Sequence, residues 1–335
     1  MIKKKVIFDF GSTNISIFSD DMLLLRIPTV IIMKRSLHSG IIFYGEEALE
    51  KRNQMIGEEF MWVRPIQKGA IAHYEGAKLL IKEILHKLFG YNTNIEICVL
   101  ISCGLEVEQK KDIEKIFVTN GYSNVYLLES ILALSPILEQ NESNVVCVLG
   151  GDLVDVGVIS TKKNGEKVER KIISGYSLGL GGNVINEKIK KSIELEYKLQ
   201  VSDKEVEEIK LKVGSLFIKD MSSYSCNGLD IISGKKKKMT LTNREIYKSI
   251  IFVYTRIIKL IDGVLLVAPD DILKNILKKG IVIVGGGAQI TGLEEYFFNN
   301  LELPIILEDK PYITHLRSAY RLINDEVFIK DFLGE

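Results

Sequence analysis

Three short turns in this 335-residue chain hold residue types suited to binding phosphate. The first is Asp9-Phe10-Gly11-Ser12-Thr13-Asn14. Gly11 lets the backbone approach an anion closely, and Ser12, Thr13 and Asn14 offer donors. Asp9 would reach a divalent cation through water, because Mg²⁺ keeps several waters and needs few carboxylates. The second turn, Gly150-Gly151-Asp152-Leu153, has the same design with an acid placed in it. The third, Gly285-Gly286-Gly287, lies between an apolar run and a helix start, where close backbone approach and the helix N-terminus both suit an anionic ligand. Each pattern also describes an ordinary tight turn.

Further candidates are weaker. Gly182 and Asn183 end a glycine-rich stretch before a helix and could admit phosphate from the opposite side. Glu207 and Lys210 lie three apart on a predicted helix, so they share a face and could bracket a ribose and an adenine. An exposed ion pair is the plainer reading. Glu129, after a short strand, could orient a water or simply sit at a helix start. Lys235–Lys238 reads as a solvated turn, without the interleaved aromatics a nucleic-acid site requires.

These turns need strands to hold them. Runs 6–10 and 15–18 form a hairpin around the first turn, and 145–149 and 154–159 a second around the next. Between them the spacing predicts a strand region 23–33 broken at Pro28, and a short helix 46–54 within a mixed segment. A helix 76–89, a buried strand 95–102, a helix 106–120 ended by Gly121, a strand 125–128 and a helix 131–138 follow. The second half reads as strand 167–174, helices 182–198 and 203–215, hairpin 228–242 and helix 243–267. Strand 281–284, helix 291–299, strand 305–307 and helix 311–323 complete it, with 325–335 as a tail of uncertain order. Strand–helix alternation of this kind is an α/β fold with helices covering sheets.

Composition sets outer bounds. The chain is 46% hydrophobic and 26% charged, with formal net charge zero, so no global field recruits nucleic acid or an anionic surface. Cys98, Cys103, Cys147 and Cys226 form no CxxC pair and read as small core residues of a reducing cytoplasm. Histidines 38, 73, 86 and 315 are scattered, which argues against a histidine metal site. The basic start, Lys3-Lys4-Lys5, is followed by an apolar run that Asp9 interrupts, so it does not read as a signal peptide.

Taken together, the stretches resemble the superfamily of actins, heat-shock chaperone ATPases and sugar kinases, and within it the bacterial actin family MreB. The matching segments are DFGSTN (9–14), VRPIQKGAIAHYE (63–75), LEVEQKKDIEKIF (105–117), VYLLES (125–130), LGLGGNVINEKI (178–189), EVEEIKLKVGS (205–215), NGLDIISGKKKKMTLTNREI (227–246) and GIVIVGGGAQITGLEEYF (280–297). The resemblance implies an actin-like ATPase fold: two RNase-H-like lobes around a nucleotide cleft, each with a smaller subdomain. Expected boundaries are lobe I at 1–140 (small subdomain about 32–66), lobe II at 141–324 (about 178–246) and a tail at 325–335.

It further implies ATP and Mg²⁺ as cofactors, and assigns residues. Asp9 would serve the metal. Gly11, Ser12, Thr13, Asn14, Gly150 and Gly151 would form two phosphate loops, which Gly182 and Asn183 approach. Glu207 and Lys210 would meet the adenosine, Gly285, Gly286 and Gly287 the adenine side, and Glu129 would position the attacking water. Self or paralogous MreB subunits would form filaments at the inner face of the cell membrane, organising proteins of cell-wall elongation. Leu88 and Phe89 match the family's apolar membrane loop, and equally could finish the core face of their helix.

Where the family has Asp-Ile-Gly-Gly-Gly-Thr-Thr-Glu in the second phosphate loop, this chain has Val148-Leu149-Gly150-Gly151-Asp152-Leu153-Val154-Asp155. A carboxylate about 4 Å from a phosphate costs on the order of several kcal/mol at intermediate dielectric. Each donor lost to a charged ligand costs roughly 1.5–3 kcal/mol. Lys68, His73 and Asn186 also stand where the family usually has aspartates. Either Asp152 itself holds the metal, or nucleotide binds without being hydrolysed. The expected protein is a divergent paralogue with weak or lost ATPase activity. The alternative is a non-polymerising ATP-binding protein, chaperone-like or kinase-like. A chaperone would need a further peptide-binding domain, and a kinase a base for the acceptor hydroxyl.

Overall fold

A computed structural model describes residues 3–333 apart from 36–39, 56, 58, 139–141 and 166. The first half runs β1 (Lys4–Asp9), β2 (Asn14–Ser19), β3 (Met22–Pro28), β4 (Ile31–Lys34), β5 (Ile41–Tyr44), α1 (Glu46–Met55), β6 (Phe60–Val63), β7 (Ile66–Gln67), β8 (Ala70–Ile71), α2 (Tyr74–Phe89), β9 (Ile95–Ile101), α3 (Val107–Thr119) and β10 (Val125–Glu129). A 3₁₀ turn, Leu132–Ile137, leads into β11 (Ser143–Leu149), β12 (Val154–Asn164), β13 (Lys167–Leu178), α4 (Gly182–Tyr197), β14 (Leu199–Gln200), α5 (Asp203–Val213), β15 (Ser223–Asp230) and β16 (Lys236–Thr242). The chain then passes through α6 (Asn243–Leu266), α7 (Asp270–Lys279), β17 (Ile281–Val284), a 3₁₀ turn at Gly286–Gln289, α8 (Leu293–Leu301), β18 (Ile305–Leu307), α9 (Pro311–Ile323) and α10 (Glu326–Leu333).

Two five-stranded sheets share one plan. One has the order β10-β9-β1-β2-β3, the other β18-β17-β11-β12-β13. In each, the first strand pairs antiparallel with the second and parallel with a strand reached through a helix, β9 or β17. The internal repeat expected from the two hairpins is therefore a repeat of whole lobes. Asp9, two residues before Gly11, corresponds to Val148, two residues before Gly150.

Burial follows from alternation along the strands. Val6 and Phe8 of β1 face α2 and α3, where Leu80, Ile81, Ile84, Ile113 and Phe117 complete an apolar layer. Phe8 meets the Phe117 ring edge-on at 5.0 Å. Ile7 faces the other way and is covered by Leu316, Ala319 and Leu322 of α9 and Phe328 of α10. The chain after residue 310 thus returns to the first sheet, whereas the expected lobe II ran to 324; the bare face of β1 and β9 needs a cover, and α9 supplies it. The expected lobe boundary at 140/141 lies outside the described residues.

In the second lobe α6 packs Ile246, Ile250, Val253 and Ile257 against Val145, Cys147 and Val156. The other face of that sheet, with Val146, Val148 and Val282, meets Ile131 and Leu134 from the first lobe. Smaller sheets flank each lobe: β5-β4-β6 beside α1, and β14-β15-β16 beside α5.

Several expectations change. The 131–138 helix is a 3₁₀ turn with Pro136 inside it, since Pro lacks the amide an α-helix needs. The hairpin placed at 228–242 begins at Ser223, and three lysines of the 235–238 run lie on β16 rather than in the turn. Residues 325–335, expected to be of uncertain order, contain α10, whose Phe328 and Phe332 rings stack at 5.4 Å. The helix α7 and the short strands β5, β6, β7, β8 and β14 went unpredicted. All four cysteines are buried and free, as expected of core residues.

Candidate functional site

A cleft of about 1970 Å³ separates the two lobes, and the three turns converge on its floor. It is lined by Asp9, Gly11, Ser12, Thr13 and Asn14 from the first turn and by Gly150, Gly151 and Asp152 from the second. Gly182, Asn183, Glu207, Lys210, Gly285, Gly286 and Gly287 line it too. Ligand cavities of ordinary small molecules are about 300–1,000 Å³, so a nucleotide fits with room to spare.

The first turn is held from below. Thr29 donates its amide to Thr13 O at 2.9 Å and its hydroxyl to Gly11 O at 2.7 Å. A Cβ on Gly11 would lie 2.1 Å from Asn14 O, so the tight turn admits only glycine there. Ser12 Oγ accepts from Gly69 N at 2.8 Å, which leaves its proton for a ligand. Gly69 belongs to the two-residue turn Lys68-Gly69 between β7 and β8, where both residues have positive φ, 49° and 74°.

The second turn closes on itself through Gly150 N and Leu153 O at 2.9 Å. Its carbonyls then receive the first amides of α4: Gly182 N to Gly150 O at 3.1 Å and Asn183 N to Gly151 O at 2.8 Å. The Asn183 side chain donates to Thr13 Oγ1 at 2.8 Å and to Asp152 Oδ1, linking the two lobes. The third turn uses its glycines differently. Gly285 has φ 94° and packs on Leu149 O, while Gly286 faces the opening, with only Arg26 near its missing Cβ. Tyr254 donates to Gly287 O at 2.7 Å and fixes that turn from within the core.

Glu207 and Lys210 do share a face of α5 and pair at 2.8 Å. Asn186 of α4 adds a bond to the same Glu207 oxygen at 2.7 Å, where an aspartate would repel it. His73, another departure from the family pattern, caps α2 by accepting from Gly76 N at 2.9 Å, the work an aspartate does at an N-cap.

Three expected site residues stand apart from the cleft. Glu129 ends β10 and pairs with Lys110 at 3.0 Å; its neighbour Ser130 lines the cleft and Glu129 does not. The strand runs one residue further than expected, which turns this side chain toward α3. Leu88 and Phe89 are half-buried against the first lobe's core. The apolar side chain that projects from that loop is Tyr91, 91% exposed.

Two residues that sequence reasoning missed also line the cleft. Asp155 is 4% exposed and sits opposite Val148 in the β11–β12 register. Burial pushes its carboxyl up to about 6, against the lowering influence of the nearby Ser177 and Ser102 hydroxyls and of the Cys103 amide, which donates to Oδ1 at 3.3 Å. An acid inside an apolar strand was the available signal. His315 of α9, one of the histidines read as scattered, brings Nε2 to 3.4 Å from Asp9 Oδ2. Its Nδ1 is buried without a hydrogen-bond partner. His38 lies outside the described residues.

Over the mouth, Arg52 of the first lobe pairs with Asp203 of the second at 2.9 Å, and Lys190 shares that carboxylate at 2.6 Å.

Two lobes of repeated plan, joined beneath a glycine-lined cleft, define an actin-like protein. The solved structure of MreB 5 of Spiroplasma citri bound to AMPPNP superposes with TM-score 0.87 at 22% identity, covering 100% of this chain and 99% of that one. A MamK double helical filament gives TM-score 0.75 at 16% identity, over 96% and 99% of the two chains. More specifically, the model of the MreB/Mbl protein family matches residues 3–327, and the chain belongs to that family. It is 26% identical over 323 residues to the cell shape-determining protein Mbl of Bacillus subtilis, covering 93% of each. Against the cell shape-determining protein MreB of Escherichia coli it is 22% identical over 327 residues, covering 93% of this chain and 90% of that one.

Proposed function

We propose that this chain is an actin-like cytoskeletal protein that binds an adenine nucleotide in its cleft and hydrolyses it weakly or not at all. The observation that carries the reading is the convergence of three glycine turns from two lobes on one cleft, in a member of the MreB/Mbl family. The nucleotide-bound state of a structural neighbour supports it. In this reading Gly11, Ser12, Thr13 and Asn14 hold phosphate, Gly286 admits the base, and Glu207 with Lys210 meets the ribose side.

Among the described residues, no group of three or more His, Cys, Asp or Glu side chains could hold a metal ion. The donor set therefore suits a Mg²⁺ carried by the nucleotide's phosphates and met through water by Asp9. That ion would offset phosphate charge. At the end of β11 the second lobe has Val148 where the first has Asp9; its carboxylates in the cleft are Asp152 in the turn and the buried Asp155 opposite Val148. Glu129 would have to leave Lys110 before it could position a water.

Membership of the family and the filament of a structural neighbour support filament formation, by itself or with paralogous subunits. The filaments would lie at the inner membrane surface and organise cell-wall elongation. Among the described residues no helix is long and apolar enough to cross a membrane, so contact would be peripheral. Leu88 and Phe89 could reach lipid only by leaving their core contacts. Many weak contacts in one polymer would sum to firm binding.

Electron microscopy of the purified chain with nucleotide and lipid vesicles tests the whole reading. Filaments on vesicles are the expected result; globular particles under all nucleotide conditions would refute polymerisation. Replacing Leu88 and Phe89 by Ser should reduce vesicle co-sedimentation of the polymer. Unchanged co-sedimentation would exclude that loop as the contact.

A further inference from the structure

The two phosphate turns are in contact across the cleft floor. A Cβ on Gly151 would fall 2.1 Å from Thr13 Oγ1 and 2.5 Å from Thr13 Cβ, so no phosphoryl group fits between them as they stand. What holds them together is a side-chain bridge. The Asn183 amide donates to Thr13 Oγ1 in the first lobe and to Asp152 Oδ1 in the second.

Several of the polar groups around the second turn are already engaged. The amides of Gly181, Gly182 and Asn183 donate to the carbonyls of Asp152, Gly150 and Gly151. The Asn183 side-chain amide donates to the Asp152 carboxylate and to Thr13. Leu153 and Val154, next in the turn, bring no hydroxyl. The only charge in this turn is the negative one on Asp152, at the start of a helix whose N-terminus favours an anion. Elsewhere the cleft is open: Ser12, which keeps its proton, and Asn14 line it from the first lobe, and the open face of Gly286 and the Glu207–Lys210 pair line it from the second.

We propose that Asp152 is a specificity-determining residue: its carboxylate stands where a third phosphate would come between the turns, so the cleft holds adenosine diphosphate in preference to triphosphate. The lobes are bridged by Asn183, which the Asp152 carboxylate holds, and a third phosphate must break that bridge and approach a like charge. This rests on the nucleotide reading of the cleft and adds the phosphate number to it.

The test is isothermal titration of the purified full chain with Mg–ADP and with Mg–AMPPNP, which is not turned over. Wild type, Asp152→Asn and Asp152→Gly are compared, with circular dichroism to establish that each is folded. Asp152→Asn keeps size and an acceptor but removes the charge; Asp152→Gly restores an open turn. The wild type should bind ADP at least about tenfold more tightly than AMPPNP, since like charges a few ångströms apart repel strongly in a half-buried site. Asp152→Gly should bring the two within about threefold, chiefly by tightening AMPPNP, with Asp152→Asn between. Equal affinities in the wild type, or an ADP preference that survives in both variants, would overturn the role of Asp152 while leaving the nucleotide site intact. If neither nucleotide bound any of the three proteins, the nucleotide reading would fall and this proposal with it.

Discussion

Asp155 shows how one buried side chain makes stability depend on pH. Its folded-state carboxyl titrates at about 6, raised by burial from the ordinary 3.8. The folded protein therefore holds a proton that the unfolded chain releases between those values. Stability from this group is greatest below about pH 4 and is lost as pH rises through about 6. Each pH unit of displacement is worth about 1.4 kcal/mol, so the effect is about 3 kcal/mol. Asp155→Asn, which keeps the acceptor for Cys103 N without the charge, should lose this dependence. Urea unfolding at pH 8 and pH 4.5 checks it. Relative to the variant, the wild type should gain about 2 kcal/mol at the lower pH. An unchanged difference would contradict the burial argument.

The same residue marks what the sequence could disclose. Asp9, Gly11 and Asn14 were legible because their chemistry lies in one local turn. Asp155 and His315 were not, because their meaning depends on partners far along the chain: Cys103 for one, Asp9 for the other. Glu129 failed in the opposite direction. Its motif position suggested a water, but Lys110, nineteen residues earlier, holds it in this structure.

At the scale of elements, the long periodic helices and the two hairpins were readable, since their patterns repeat over many residues. The helix α6 even carries its start signal, Thr242 with Glu245 as a capping box. The short strands β7, β8 and β14 and the 3₁₀ turn before β11 were not, because two to six residues carry too little pattern. The helix α10 was missed for another reason: its apolar residues have a purpose only once Phe328 and Phe332 reach the first lobe. There Phe332 meets Tyr126 edge-on at 6.1 Å, and Arg170 of the second lobe lies 5.5 Å from the Phe328 ring. Arg170 also pairs with Asp325 at 3.1 Å, so this terminus ties β13 to the first sheet. Phe328→Ala should cost about 3 kcal/mol in urea unfolding, as removal of a buried aromatic does. A cost below about 1 kcal/mol would mean that α10 is not docked in solution.

For the whole molecule, two of the bridges between the lobes differ in kind. Arg52–Asp203 at the mouth is roughly half exposed on both sides, and exposed pairs contribute only about 0.2–1 kcal/mol. Arg52→Ala should therefore lower unfolding stability by no more than about 1 kcal/mol, with even that lost at high salt. A larger, salt-insensitive loss would show that the mouth is a structural joint. The Thr13–Asn183–Asp152 bridge on the floor is the more consequential, because it lies where chemistry would take place. The fold was legible from the repeat of hairpin, crossover and parallel strand. That these two turns touch was not, since no local pattern reports the distance between lobes.

In the proposed function, the actin-like nucleotide cleft has lost much of its hydrolytic capacity. Steady-state phosphate release from Mg–ATP by the purified chain, measured beside Bacillus subtilis Mbl under the same conditions, tests it most directly. Loss of even one donor to a charged transition state is worth roughly 1.5–3 kcal/mol, so release should be at least about tenfold slower than that of Mbl. Release at the rate of Mbl would contradict the account.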